Sequence, residues 1–304
     1  SLIEDQEYIL REILNIIEAR DIDFVIIAGD IYDKPVPPAE AVTLFDGFIT
    51  EIASRGKQVF IISGNHDSGE RLEFGSQIMK NSGVYVSGVF AGVPRPVVLS
   101  DSYGRINIYL LPFIKPALFK HALPDYDAKT TDEAVRKVIE LMDVDQSERN
   151  ILICHQFVAG SIRCDSEDII AGGSDSVGTD AFSKFDYTAL GHLHSPQKAG
   201  GENIRYCGSP LKYSFSEIGH QKSAVIVELK EKSNLCVTLV PLVPLKDLRR
   251  IKGSYLDITF YDNYMGTKLD DYVYITLTDE EDIPNAIGTV SYTHLRAHET
   301  RHDL

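Results

Sequence analysis

Four short polar motifs recur in a fixed order: Ala28-Gly29-Asp30, Gly64-Asn65-His66-Asp67, Cys154-His155 and Gly191-His192-Leu193-His194. Each follows an apolar, β-branched run that reads as a strand, so the polar residues fall at strand C-terminal ends. Together they offer carboxylate, carboxamide and imidazole donors. That set suits Mn²⁺, Mg²⁺ or Fe²⁺ better than a thiolate-held zinc. The chemistry such donors support is phosphoester hydrolysis at a two-metal centre, where paired cations orient and activate the attacking water. One motif alone is a weak signal; four in agreement are a specific one.

Taken singly, Asp30 has two oxygens and can bridge two cations. Asn65 offers a neutral carbonyl oxygen, and His155, His192 and His194 offer imidazoles. His192 and His194 point to opposite sides if the segment stays extended, or to adjacent metals if it turns. Neighbouring residues leaving a strand do not easily ligate one ion together, so His66, between Asn65 and Asp67, is assigned another task. A histidine oriented by a carboxylate is suited to stabilise charge on a phosphoryl group or to protonate a leaving oxygen. A third ligand is the alternative role for His66. A lone aspartate after a strand is ordinarily a helix N-cap, and a lone histidine a packed or surface residue; His121 and His220 are read in that way.

The elements that must position these groups follow from periodicity. Ile9, Leu10, Ile13, Ile16 and Ile17 form an apolar stripe on a helix from Ile3 to Ala19. Phe24–Ala28 is a buried strand, Pro37-Pro38 opens a helix to about Arg55, and Val59–Ile62 is the next strand. This alternation predicts βαβ units with a largely parallel sheet. Further strands are expected at Ile108–Leu111, Ile151–Cys154, Tyr187–Leu190, Ala224–Leu229 and Cys236–Val240, with a helix from about Thr131 to Met142. Ser161–Thr179, rich in Gly, Ser and Asp, reads as a mobile loop. Two sheets packed face to face with helices outside is the economical arrangement. Pro241 and Pro244 bracket a boundary, beyond which Tyr255–Phe260 and Tyr272–Leu277 read as strands.

Composition limits the setting. The 304 residues are 43% hydrophobic and 25% charged, as in an ordinary globular protein. No apolar run approaches membrane-spanning length. The scattered cysteines, Cys154, Cys164, Cys207 and Cys236, lack a C-x-x-C pair and read as reduced thiols, which predicts a cytoplasmic protein. A net charge of −15 counts against a simple nucleic-acid binder, although bound cations would offset part of it. The clearest basic cluster is Lys246, Arg249, Arg250 and Lys252. The terminal stretch Ser291–Leu304, with His294, His298 and His302, resembles a translated sequencing adapter and is set aside as a non-native tail.

The chain resembles the calcineurin-like metallophosphoesterases. The likeness rests on G-D-x-x-D at Gly29–Asp33, G-N-H-D-S at Gly64–Ser68, C-H-Q-F at Cys154–Phe157 and A-L-G-H-L-H at Ala189–His194. R-Y-C-G-S-P-L at Arg205–Leu211 and Y-S-F-S-E at Tyr213–Glu217 are similar to the SbcD-type nuclease subunits of bacteria. The resemblance runs from about Leu2 to Thr289 and implies an α/β fold: a β-sandwich flanked by helices, plus a partial small α+β capping domain. Its implied division is residues 1–240 for the nuclease domain without its first strand, 241–290 for part of the cap and 291–304 for the tail. It implies Asp30 as bridging ligand, Asn65, His155 and His192 completing one metal site, His194 in the other, and His66 acting on the scissile phosphate. The implied activity is Mn²⁺-dependent exonuclease and endonuclease cleavage of DNA in repair, recombination and replication. The implied partners are an SbcC-type coiled-coil ATPase and a second nuclease subunit, as a homodimer within a heterotetramer.

One departure stands out. The family carries a leading D-x-H motif that supplies two ligands to the second site, and Ser1–Asp23 contains none. With that site reduced to Asp30 and His194, residues 1–304 alone are expected to be poorly soluble and catalytically silent. Two other functions stay open on the sequence: a metallophosphoesterase acting on small phosphodiesters or phosphoproteins, which the acidic balance suits, and a silent scaffold.

Overall fold

The computed structural model describes residues 2–164, 176–264, 268–281, 283–286 and 288. Two sheets face each other. The first is parallel, in the order β1 (Phe24–Ala28), β2 (Gln58–Ile62), β3 (Val84–Ser87). The second has six strands: β4 (Val97–Asp101), β5 (Gly104–Leu111), β6 (Arg149–His155), β7 (Tyr187–Gly191), β8 (Gln197–Ala199) and β9 (Gly201–Tyr206). Their spatial order is β4-β5-β6-β7-β9-β8, parallel from β5 through β9 and antiparallel at both edges. This is the helix-flanked β-sandwich that the resemblance implies.

Strand alternation divides the core into layers. On β2, Val59 and Ile61 turn outward to meet Ile17, Phe48, Ile49 and Ile52 of helices α1 (Leu2–Ala19) and α2 (Ala39–Ser54). Phe60 and Ile62 turn inward, against Ile106, Ile108 and Leu110 of β5 and Ile151 and Ile153 of β6. On the far side, Leu152 and Cys154 pack on Ala134, Val135, Val138 and Ile139 of the helix Thr131–Leu141. That helix starts where the Thr130 side chain accepts from Glu133 N–H. An antiparallel hairpin, β10 (Ser223–Leu229) and β11 (Leu235–Pro241), closes the inner layer with Val227, Leu229, Leu235 and Val237.

One reading needs correction. Tyr255–Phe260 is not a strand: Tyr255–Thr259 is a short helix, because Ser254 caps it by accepting from Asp257 N–H. Local capping overrides the β propensity of its tyrosine, isoleucine and threonine. The strand beside β13 (Tyr272–Leu277) is instead β12 (Leu248–Gly253), paired in parallel. β12 carries Arg249, Arg250 and Lys252, so the basic cluster is divided between strand faces. Arg249 is committed to Asp271 at 3.1 Å, and Arg250 lies over the Tyr274 ring. The expected loop Ser161–Thr179 lies outside the described residues over 165–175, as does the tail 291–304.

Candidate metal centre

The strand register explains why the motifs meet. β1, β2, β6 and β7 are parallel within their sheets, and each motif leaves a strand at its C-terminal end, where open α/β sheets place their ligands. Ile151 and Ile153 face the inner layer, so His155, next in alternation, faces it too. Its Nδ1 lies 2.7 Å from the carbonyl oxygen of Ala28, at the end of β1. A carbonyl only accepts, so Nδ1 carries the proton and a neutral ring keeps its lone pair on Nε2. That Nε2 lies 3.1 Å from Asn65 Oδ1 and 3.1 Å from Asp30 Oδ2. His192 Nδ1 approaches the same Asn65 oxygen at 2.9 Å.

Close approach requires glycine at two positions. Gly64 and Gly191 occupy inward-facing alternation positions, like Ile62 and Ala189. A Cβ on Gly64 would lie 2.0 Å from Asp30 Oδ1, and one on Gly191 would lie 1.8 Å from the Ala28 carbonyl. Backbone strain gathers at the same place: Asp30 has φ +49° and His192 φ +100°. Non-glycine residues held there cost on the order of 1–3 kcal/mol each and cluster at functional sites.

Electrostatics point the same way. Burial pushes the Asp30 carboxyl up, but His155 and the His66 N–H on Oδ1 outweigh it, and the group sits at about 2. Burial opposes a charge on His155, yet the Asp30 carboxylate raises its proton affinity overall. His192 is held down at about 4, by burial and then by His155, so it offers a lone pair at neutral pH. A lone pair on His155 Nε2 facing two oxygens is repulsive unless a proton or a cation lies between them. Ligand atoms of Asp30, His155 and His192 all fall within 4.8 Å of one another. One carboxylate, one carboxamide and two imidazoles in that space fit a borderline divalent cation.

His66 and His194 take separate places. His66 Nδ1 lies 3.1 Å from the Asp33 carbonyl oxygen, so a backbone carbonyl orients the ring in this structure. The carboxylate expected to orient it, Asp67, turns away and accepts from the backbone N–H groups of Ile31, Tyr32 and Gly64. Asp67 thereby ties the Asp30 loop to the Asn65 loop. His194 follows a turn, with Leu193 buried between the two histidines. Its Nδ1 meets Glu217 Oε1 at 3.0 Å, and ligand atoms of Cys164, His194 and Glu217 lie within 4.8 Å of one another.

Sequence reasoning placed Asp67 here in a different role and did not assign Glu217, Lys222 or Tyr206 to this region. Tyr206 is fully buried; its hydroxyl donates to the Gln156 carbonyl at 2.7 Å and accepts from Val158 N–H at 2.8 Å. It fixes the chain just past His155. The available signal was the run Arg205–Glu217, which marked a resemblance without saying what its side chains touch.

The calcineurin-like phosphoesterase family model matches residues 3–196, and the chain belongs to that family. It is 34% identical over 286 residues to the SbcD subunit of nuclease SbcCD from Staphylococcus epidermidis, spanning 90% of this chain and 75% of that protein. It is 33% identical over 280 residues to the SbcD subunit of nuclease SbcCD from Staphylococcus saprophyticus, spanning 88% of this chain and 73% of that protein. Within the phosphoesterases it therefore belongs with the SbcD nuclease subunits.

Proposed function

We propose that this phosphoesterase hydrolyses DNA phosphodiesters with two Mn²⁺ ions, as exonuclease and endonuclease, in DNA repair, recombination and replication. The observation that carries this reading is the convergence of Asp30, Asn65, His155 and His192 on one space, in a chain related to SbcCD nuclease subunits. Asp30, Asn65, His155 and His192 would hold one ion, and Asp30 and His194 would serve the other. Ions held there would supply Lewis acidity and activate the attacking water. The chain's own residues do the rest. Ala28 holds the His155 proton on Nδ1, leaving Nε2 for ligation. The Asp33 carbonyl orients His66 through Nδ1 in the same way, and we assign its Nε2 to the phosphate. We further propose residues 1–240 as the nuclease domain and 241–290 as part of a cap. An SbcC-type ATPase, a homodimeric arrangement within a heterotetramer and a cytoplasmic setting complete the reading. Among the described residues, no helix is long and apolar enough to cross a membrane.

The test is Asp30→Ala in the full-length protein, assayed on linear duplex and hairpin DNA with Mn²⁺. Loss of cleavage together with loss of Mn²⁺ binding is expected. Brisk hydrolysis of phosphopeptides or cyclic nucleotides by the unaltered protein, with no DNA cleavage, would overturn the substrate assignment.

A further inference from the structure

Glu217 is fully buried, on a turn where the Ser214 side chain accepts from Ser216 N–H. One carboxylate oxygen, Oε1, meets His194 Nδ1 at 3.0 Å. The other, Oε2, accepts from the Lys222 ammonium at 2.7 Å. Lys222 is itself almost completely buried, and its remaining donors reach the His194 carbonyl at 2.7 Å and Ser209 Oγ at 2.7 Å. Lys222 therefore holds the backbone of His194 directly and its ring through Glu217. Ser209 N–H also donates to the His194 carbonyl, at 3.1 Å. A buried ion pair adds little net stability against an apolar substitute, so its use has to be sought in what it orients.

We propose that Glu217 and Lys222 are positioning residues that lock His194 in the Nδ1–H tautomer, so that Nε2 is the atom presented to a divalent cation. The inference rests on the reading of His194 as a metal ligand. A carboxylate that takes the outer ring N–H of a ligating histidine fixes both tautomer and ring plane, and its loss costs metal affinity. The competing assignment is a three-ligand site for a softer metal, made by Cys164, His194 and Glu217. Both Glu217 oxygens are already hydrogen-bonded, and a cation there would sit beside the Lys222 ammonium. The positioning role fits this arrangement; the soft-metal site does not.

Glu217→Gln separates the cases because it keeps shape and removes one acceptor. Lys222 then claims the single amide oxygen, and the amide NH₂ turns to His194 Nδ1. Nδ1 must then accept, which moves the proton to Nε2, the ligating atom. The experiment combines nitrogen-15 NMR of the histidine rings in the metal-free protein with calorimetric Mn²⁺ titration. The unaltered protein should show His194 as the Nδ1–H tautomer. Glu217→Gln should show the Nε2–H tautomer and a loss of about 10–100-fold in affinity at the weaker Mn²⁺ site. Adding Lys222→Met frees the amide oxygen to return to His194, and should restore the tautomer and part of the affinity. A role in folding alone predicts no such rescue. Cys164→Ser should leave Mn²⁺ binding unchanged. Unaltered tautomer and affinity in Glu217→Gln, while His194→Gln loses the ion, would overturn the proposal and leave the ligand reading standing. Unaltered Mn²⁺ binding in His194→Gln would instead remove the ligand reading and the positioning role that rests on it. Loss of metal in Cys164→Ser would favour the soft-metal site.

Discussion

His66 donates its backbone N–H to Asp30 Oδ1 at 3.0 Å, so the main chain of one residue steadies the side chain of the other. That contact does not depend on the imidazole. His66→Ala should therefore keep Asp30 in place and retain Mn²⁺, while turnover falls by about 10²–10⁴-fold, the range for a lost general acid or base. Calorimetry beside steady-state nuclease rates checks this. Loss of a metal as complete as in Asp30→Ala would reassign His66 as a ligand. At this scale the sequence was informative about residues that lie inside motifs. Asp30, Asn65, His155 and His192 announce themselves by following apolar strands. Glu217 does not, because its partner His194 lies 23 positions away and nothing local in the sequence marks that meeting. Asp67 misleads for the opposite reason: proximity to His66 suggests a side-chain pair, whereas three backbone N–H groups are better aligned to receive its oxygens.

Among the elements, β6 shows how one strand serves two ends of the fold. His155 closes its C-terminal end at the proposed metal centre. Arg149 opens it, with a side chain 2% exposed that pairs with Asp101 through both Nη atoms. Arg149 also donates to the carbonyls of Gly104, Leu229 and Lys230, which joins β5 to the β10–β11 hairpin. Arg149→Met should destabilise the fold by about 2–4 kcal/mol, since several charge-assisted hydrogen bonds are lost and carbonyls are left unpaired. Urea denaturation measures this. The pairing with Arg149 lowers the Asp101 carboxyl below its ordinary 3.8. A lowered folded value means that Asp101 adds stability above pH 3.8 and loses it as the pH falls through that lower value. Asp101→Asn should flatten the acid limb of the stability curve, and an unchanged limb would refute the pairing. The strands with clean alternation or solid apolar runs, β1, β2, β6 and β7, were legible in the sequence. β12 was not, because Arg249, Arg250 and Lys252 conceal its alternation. The helix Tyr255–Thr259 was misread because one cap, Ser254, outweighed its residue preferences.

For the whole molecule, the donors that converge at the proposed metal centre come from widely separated stretches of chain. Asn65 and His192 are 127 positions apart, and His155 lies 90 positions from Asn65. A cation held among them is a reversible cross-link that closes loops on the scale of the entire fold. Unlike a disulfide, this closure is set by the concentration of a solute. At a free Mn²⁺ level about a hundredfold above the dissociation constant, the native state should gain roughly 2.7 kcal/mol. The midpoint of thermal unfolding should then rise by about 5 °C, and chelation should reverse the gain. Scanning calorimetry against Mn²⁺ checks both, and Asp30→Ala should abolish the dependence. On that proposal the strand ends make folding itself responsive to the ion, and a shortage of it should cost the protein rigidity together with its chemistry.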